Sequence, residues 1–157
     1  LGVGEGGMVV TDSKEMYEGL QVLREFGTEE HPSLNFRMSE ITAALGLSRL
    51  GRVLQDKWQK AEILRKYQKE DIPLADFMAY TAFNYHLAVC KFSEPVKVAW
   101  LLRRAEIGTQ RHYEPLERGH KNAEKYWANT LSIPLYPQLT KEEQDKVIKT
   151  IHEATGD

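Results

Sequence analysis

Three stretches of this 157-residue sequence carry groups suited to chemistry: Gly2-Val3-Gly4-Glu5-Gly6-Gly7, Asn35-Phe36-Arg37 and His112-Tyr113. The first spells G-x-G-x-x-G, which cradles a dinucleotide when it follows a strand and opens a helix whose free N–H groups receive the pyrophosphate. Here only Leu1 precedes the glycines, and Met8-Val9-Val10-Thr11, an apolar β-branched run of strand character, follows them. The dinucleotide reading fails on both counts. A glycine run leading into a strand implies instead a backbone passing close to a neighbour, where a Cβ would intrude. Asn35 and Arg37, two apart in extended chain, point to one side and offer amide and guanidinium donors to a phosphate or carboxylate. On spacing alone, a loop-stabilising Asn beside a surface Arg remains the alternative. His112 and Tyr113, adjacent in an extended piece, face opposite ways, so at most one serves a given pocket.

The other reactive residue types point to structure. His86, within the apolar run Tyr80 to Phe92, reads as a hydrogen-bonded core residue, and His31, His120 and His152 have no metal-binding spacing. Cys90 is the sole cysteine, which rules out an internal disulfide and a multi-cysteine zinc site and fits a reducing compartment, by default the cytoplasm. It reads as a packing residue. Trp58, Trp100 and Trp127 fall on predicted helices as core or interface anchors. With 21 Lys and Arg against 23 Asp and Glu, a net charge of -2 gives no electrostatic footprint for nucleic acid or an anionic membrane. No apolar stretch reaches the length of a membrane span. Small molecules or proteins are the expected partners.

These groups need elements to position them. After the strand at 8–11, Asp12 with Glu15 forms a capping-box spacing for a helix through Met16, Leu20 and Leu23 to about Phe26, where Gly27 provides the stop. Gly27 to Met38 reads as a loop of functional length. Ser39 opens a helix to about Leu50 and a longer one follows to Lys69, bent or broken near Gly46 and Gly51. Tyr80 to Phe92 reads as one buried strand, and Pro95 starts a helix to about Glu106. An extended piece ends near Tyr113, and a short helix follows at Asn122 to Ala128. Leu131 to Leu135 is a strand that Pro134 makes a poor central one. Thr140 and Glu143 form a capping box for the last helix. The class is α/β, its second half a small two-layer α+β domain.

GEGGMVVT at 4–11, LREFG at 23–27, NFRMSEITAALGLSRL at 35–50, IGTQRHYEPLE at 107–117 and LSIPLYPQLTKEE at 131–143 occur in an order that resembles the DegT/DnrJ/StrS family of sugar aminotransferases. The likeness spans nearly the whole chain and is weakest at Asp71 to Phe83, which is short for the family. It implies the C-terminal part of a fold-type-I transferase that uses pyridoxal 5′-phosphate. Residues 1–51 would be the remnant of the large cofactor-binding domain, 52–70 the linker helix and 71–157 the small α+β domain. It further implies an amino group moved from glutamate to a keto sugar carried on a nucleotide, in a homodimer whose sites are shared between subunits.

By the same resemblance, Asn35 reaches the cofactor phosphate of the neighbouring subunit and Arg37 lines that shared site. His112 and Tyr113 face the nucleotide-sugar pocket. The glycine turn would follow the Schiff-base lysine, expected just before Leu1, so no catalytic residue lies in this chain and covalent cofactor attachment is not expected. The start at Leu1, inside a glycine turn and without an initiator Met, fits a fragment inactive alone. Glu117 stands where many members carry a second His, which leaves substrate choice open, and Phe36 replaces the more usual Tyr. Two alternatives remain: a dehydratase of the same family with His in place of the lysine, and a non-catalytic truncated binding or regulatory module.

Overall fold

A computed structural model describes residues 2–75 and 85–156. The chain divides into two compact units, Leu1–Val53 and Leu54–Asp157.

In the first unit, Met8 to Thr11 is not a strand. Its apolar side chains stand exposed, Met8 at 88% and Val10 at 85%, because no described strand runs beside it to supply a ladder. Helix α1 (Lys14–Arg24) is capped by Ser13, whose side chain accepts from the Met16 amide, one residue later than the expected Asp12 cap. It also stops short of Phe26. Glu25–Gly27 forms β1 and pairs antiparallel with β2 (Pro32–Asn35), so most of the expected loop is a hairpin. Its turn is closed by Thr28 N–H donating to the His31 carbonyl at 3.0 Å, with the Thr28 hydroxyl accepting from His31 N–H at 3.0 Å.

Backbone pairing here overrides the helical periodicity that reached to Phe26. Phe26 and Gly27 both take positive φ, 75° and 76°. A Cβ at Gly27 would collide with the His31 carbonyl and the Ser33 amide, so glycine is required at this bend for a reason beyond helix stopping. Ser39 caps α2 (Glu40–Leu50) by accepting from the Thr42 amide at 3.1 Å, as its position before the helix predicts. The break expected between the two helices falls at Gly51 and Arg52, before α3 (Val53–Lys69).

The second unit holds the core. β3 (Ala88–Lys91) pairs antiparallel with β4 (Thr130–Ile133), Ala88 opposite Ile133 and Cys90 opposite Leu131. Single bridges extend this sheet on both sides, Leu74 to Cys90 and Gln110 to Ser132. β4 is thus flanked on both edges, contrary to the expected poor central strand, because Pro134 falls just past it and removes no ladder donor. Of the strand expected at Tyr80 to Phe92, residues 80–84 lie outside the described residues, 85–87 are not strand, and 88–91 are. His86 is exposed and is not the core residue expected, because it precedes the strand rather than lying in it.

Alternation along the strands puts Ala88, Cys90, Leu131 and Ile133 on the face that joins Leu64 and Tyr67 of α3, Val98 and Leu102 of α4 (Pro95–Arg104), and Val147 and Ile151 of the last helix. α5 (Lys121–Ala128) lies close to its expected place. α6 (Lys141–Thr155) opens with the expected capping box, Thr140 Oγ1 accepting from Glu143 N–H at 3.1 Å and Glu143 Oε2 from Thr140 N–H at 2.9 Å. α3 and α6 are also tied by polar bonds. The buried Gln144 amide donates to the Ile63 carbonyl at 2.7 Å, and Lys66 pairs with Asp145. Cys90 packs as expected. Trp58 and Trp100 are 65% and 55% exposed, which excludes the core half of their expected role as core or interface anchors.

Candidate functional site

The hairpin sets up the first pair. Glu25 lies opposite Asn35, and Phe36 N–H donates to the Arg24 carbonyl at 3.0 Å, which fixes the chain as it leaves β2. Asn35 and Arg37 are brought together: Asn35 Oδ1 accepts from Arg37 N–H at 3.1 Å and from Arg37 Nε–H at 3.3 Å. Both of those partners can only donate, so the amide oxygen must face them and the NH2 end is turned away from the pair. The Arg37 guanidinium stands 5.9 Å from the Phe26 ring centroid, within cation–π range.

Glu25, whose carboxyl feels the Arg37 charge, is engaged by Arg24. The Arg24 hydrogen bond at 2.8 Å holds its carboxyl below the ordinary range, with Arg37 adding a smaller pull. Arg37 makes no ion pair among the described residues. Its terminal nitrogens and the Asn35 NH2 group form a set of donors that no carboxylate among the described residues contacts directly, which suits a phosphate or carboxylate. Arg37 also borders a cleft of about 1290 Å³ in this unit, whose walls include Gly6, Gly7, Val10, Leu20 and Phe36. The glycine run thus does lie beside the anion-suited arginine. The expected close approach is not what Gly6 requires, since a Cβ there would meet Met38 Cε at an ordinary 3.4 Å; at Gly4 it is the φ of 82° that favours glycine.

The second pair belongs to the other unit. His112 and Tyr113 were expected to face opposite ways, but their rings meet edge to face with centroids 4.8 Å apart at 65°. Alternation does not apply, since strand pairing on this segment ends at the Gln110 bridge. His112 Nδ1 is 2.8 Å from the Ser132 hydroxyl of β4, and Tyr113 is 67% exposed. Beside them the Arg111 guanidinium lies 5.1 Å from the Trp127 ring centroid. Glu117 contacts His120 at 3.4 Å on the surface.

Sequence reasoning missed Phe26 and Ser132. The first was read as helical, and the second sits in a strand that gave no chemical signal of its own. Among the described residues no cluster of His, Cys, Asp or Glu could hold a metal ion, and no helix is long and apolar enough to cross a membrane.

Residues 1–152 match the model of the DegT/DnrJ/EryC1/StrS aminotransferase family. The chain belongs to that family. Among its relatives is the spore coat polysaccharide biosynthesis protein SpsC of Bacillus subtilis, 28% identical over 98% of this chain and 50% of SpsC. Another is the UDP-4-amino-4,6-dideoxy-N-acetyl-β-L-altrosamine transaminase of Campylobacter jejuni, 24% identical over 94% of this chain and 47% of that protein. The PLP-form structure of Spr1654 from Streptococcus pneumoniae superposes with a TM-score of 0.76 at 25% identity, covering 96% of this chain and 46% of that one. The fold is the α/β fold of fold-type-I aminotransferases over about half of their length. The chain spans about half the length of the curated relatives it matches.

Proposed function

We propose that this chain is the C-terminal portion of a pyridoxal-phosphate-dependent aminotransferase that moves an amino group from glutamate to a nucleotide-linked keto sugar, and that it is inactive alone. In this reading residues 1–51 belong to the large domain, 52–70 form the linker helix and 71–157 the small domain. The enzyme works as a cytoplasmic homodimer with shared sites.

The observation that carries the reading is the Asn35–Arg37 pair. Its acceptor end is used internally and its donors are left for an anion, in a chain that matches the family almost throughout. Pyridoxal phosphate supplies the electron sink that such transfers need. The residues present fit its phosphate: Asn35 would donate through its NH2 group to the cofactor phosphate held by the neighbouring subunit, and Arg37 would offer its terminal nitrogens to the glutamate carboxylate in the same shared site. His112 and Tyr113 bind and orient the nucleotide sugar. The lysine that anchors the cofactor and moves the proton lies outside these residues.

The uncovered surface of the first unit supports the fragment reading. No described residue of 2–53 is buried. The cleft beside Arg37 is walled in part by exposed apolar side chains such as Val9, Val10 and Phe36, which the first unit leaves in water.

In the assembled enzyme, Asn35→Ala is expected to weaken equilibrium binding of pyridoxal phosphate by about 1–3 kcal/mol, the cost of a lost donor to a charged group. Unchanged affinity would remove Asn35 from the site. A borohydride-reducible cofactor adduct on the 157-residue chain by itself would overturn the placement of the anchoring lysine.

A further inference from the structure

His112 has two ring nitrogens, and the structure treats them differently. Nδ1 is 2.8 Å from the Ser132 hydroxyl, while Nε2 has no hydrogen-bond partner among the described residues. Ser132 is 5% exposed and lies in the middle of the sheet, its N–H donating to the Gln110 carbonyl at 2.7 Å and its carbonyl accepting from Gln110 N–H at 3.3 Å. Its backbone is fully engaged. The hydroxyl has one hydrogen-bond partner among the described residues, the imidazole.

A hydroxyl carries one proton to donate, and a buried donor left unmade is costly. Were Nδ1 to carry a proton and donate to Ser132, the serine proton would have no acceptor. With the serine donating to a bare Nδ1, both groups are satisfied. The proton of the neutral ring then sits on Nε2.

We infer that Ser132 is a positioning residue that fixes neutral His112 as the Nε2–H tautomer, so that the histidine presents a donor to an oxygen of the nucleotide sugar rather than a base. The inference rests on the proposed sugar-facing role of His112 for its ligand, and on the Ser132 contact alone for the tautomer. The oxygen served is an acceptor, a diphosphate or a sugar oxygen, and a substrate hydroxyl seeking a base is disfavoured.

The test is nitrogen-15 NMR of the 157-residue chain in alkaline buffer, with the His112 signals assigned by their loss in His112→Gln. We expect Nδ1 to resonate downfield, as a nitrogen without a proton, and Nε2 upfield, as one carrying it. Ser132→Ala should move both toward the averaged positions of a freely exchanging ring, and Ser132→Thr, which keeps the hydroxyl, should restore the separation. A protonated Nδ1 in the unsubstituted chain would overturn the inference whether or not any variant folds. So would a Ser132→Ala spectrum with the tautomer unchanged. Addition of UDP tests the other reading independently. The expected tautomer with no response of Nε2 to UDP in the assembled enzyme would support the Ser132 role and count against the sugar-facing role of His112.

Discussion

At Asn35 the geometry decides which half of the amide is available. An aspartate there would keep the acceptor for Arg37 and lose the outward NH2, placing a negative charge where the proposed function puts an anion. The Asn-Arg spacing was legible because period-two alternation is local. The bend that carries Phe26 beneath Arg37 was not, since it depends on pairing across the hairpin. His112 and Tyr113 were legible as a segment, but their ring contact and the Ser132 bond arise where the chain leaves the sheet. Cys90 shows the opposite case, a reactive type made inert. Fully enclosed on the core face of β3, its thiol is pushed by burial from 9.0 up to about 12. Below pH 9 the thiol is neutral in both folded and unfolded chains and adds no pH dependence. Between about 9 and 12 the unfolded chain releases a proton that the folded one retains, so stability falls by up to about 1.4 kcal/mol per pH unit. Tyr67, which burial also pushes upward, adds to the loss at the alkaline end of that window. Cys90→Ala should start less stable yet lose stability less steeply; urea midpoints from pH 8 to 11 measure this, and parallel slopes in the two proteins would refute it.

Among the elements, the β1–β2 hairpin governs the candidate site because its register places Asn35. Gly27 is its constraint. With φ of 76° and backbone where a Cβ would stand, Gly27→Ala should disrupt the turn at a cost of about 2 kcal/mol or more. The measurement is the exchange rate of the Phe36 amide in the assembled enzyme, where the hairpin is covered; its bond to Arg24 closes the far end of the pair. Gly19→Ala is the control, since it lies within α1 with nothing near its Cβ direction and should favour the helix by about 1 kcal/mol. If both variants leave Phe36 equally protected, the hairpin does not depend on Gly27. The elements read correctly from sequence are those fixed by adjacent residues, such as the Ser39 cap, the Thr140–Glu143 box and the Pro95 start. The errors share one cause. Whether an extended run such as Met8 to Thr11 becomes a strand depends on a partner elsewhere, and whether α1 continues past Arg24 depends on what Pro32–Asn35 offers it.

Over the whole molecule the two units differ in what holds them. Residues 54–157 close a core around Tyr67, Cys90, Leu102 and Ile151, whereas α1 and α2 of the first unit are 11 residues each and bury none. Isolated helices shorter than about 12–15 residues are marginal in water, so these two depend on packing that the first unit does not itself supply. Its exposed Val10, Leu34, Ile41 and Leu47 are the surface on which such packing would be built. In hydrogen exchange on the 157-residue chain, amides of β3, β4 and α6 should be slowed by on the order of 10³-fold or more, as expected of a domain of this size opening globally. Amides of α1, the hairpin and α2 should exchange near unprotected rates. On the proposed fragment reading, adding the complementary portion of the enzyme should raise protection more in the first unit than in the second, because residues 2–53 bury none of their described side chains whereas the second unit already closes its own core. Equal protection of both units in the chain alone would show that residues 2–53 need no cover, and would remove the uncovered surface as support for the fragment reading while leaving the anion-donor geometry of Asn35 and Arg37 intact.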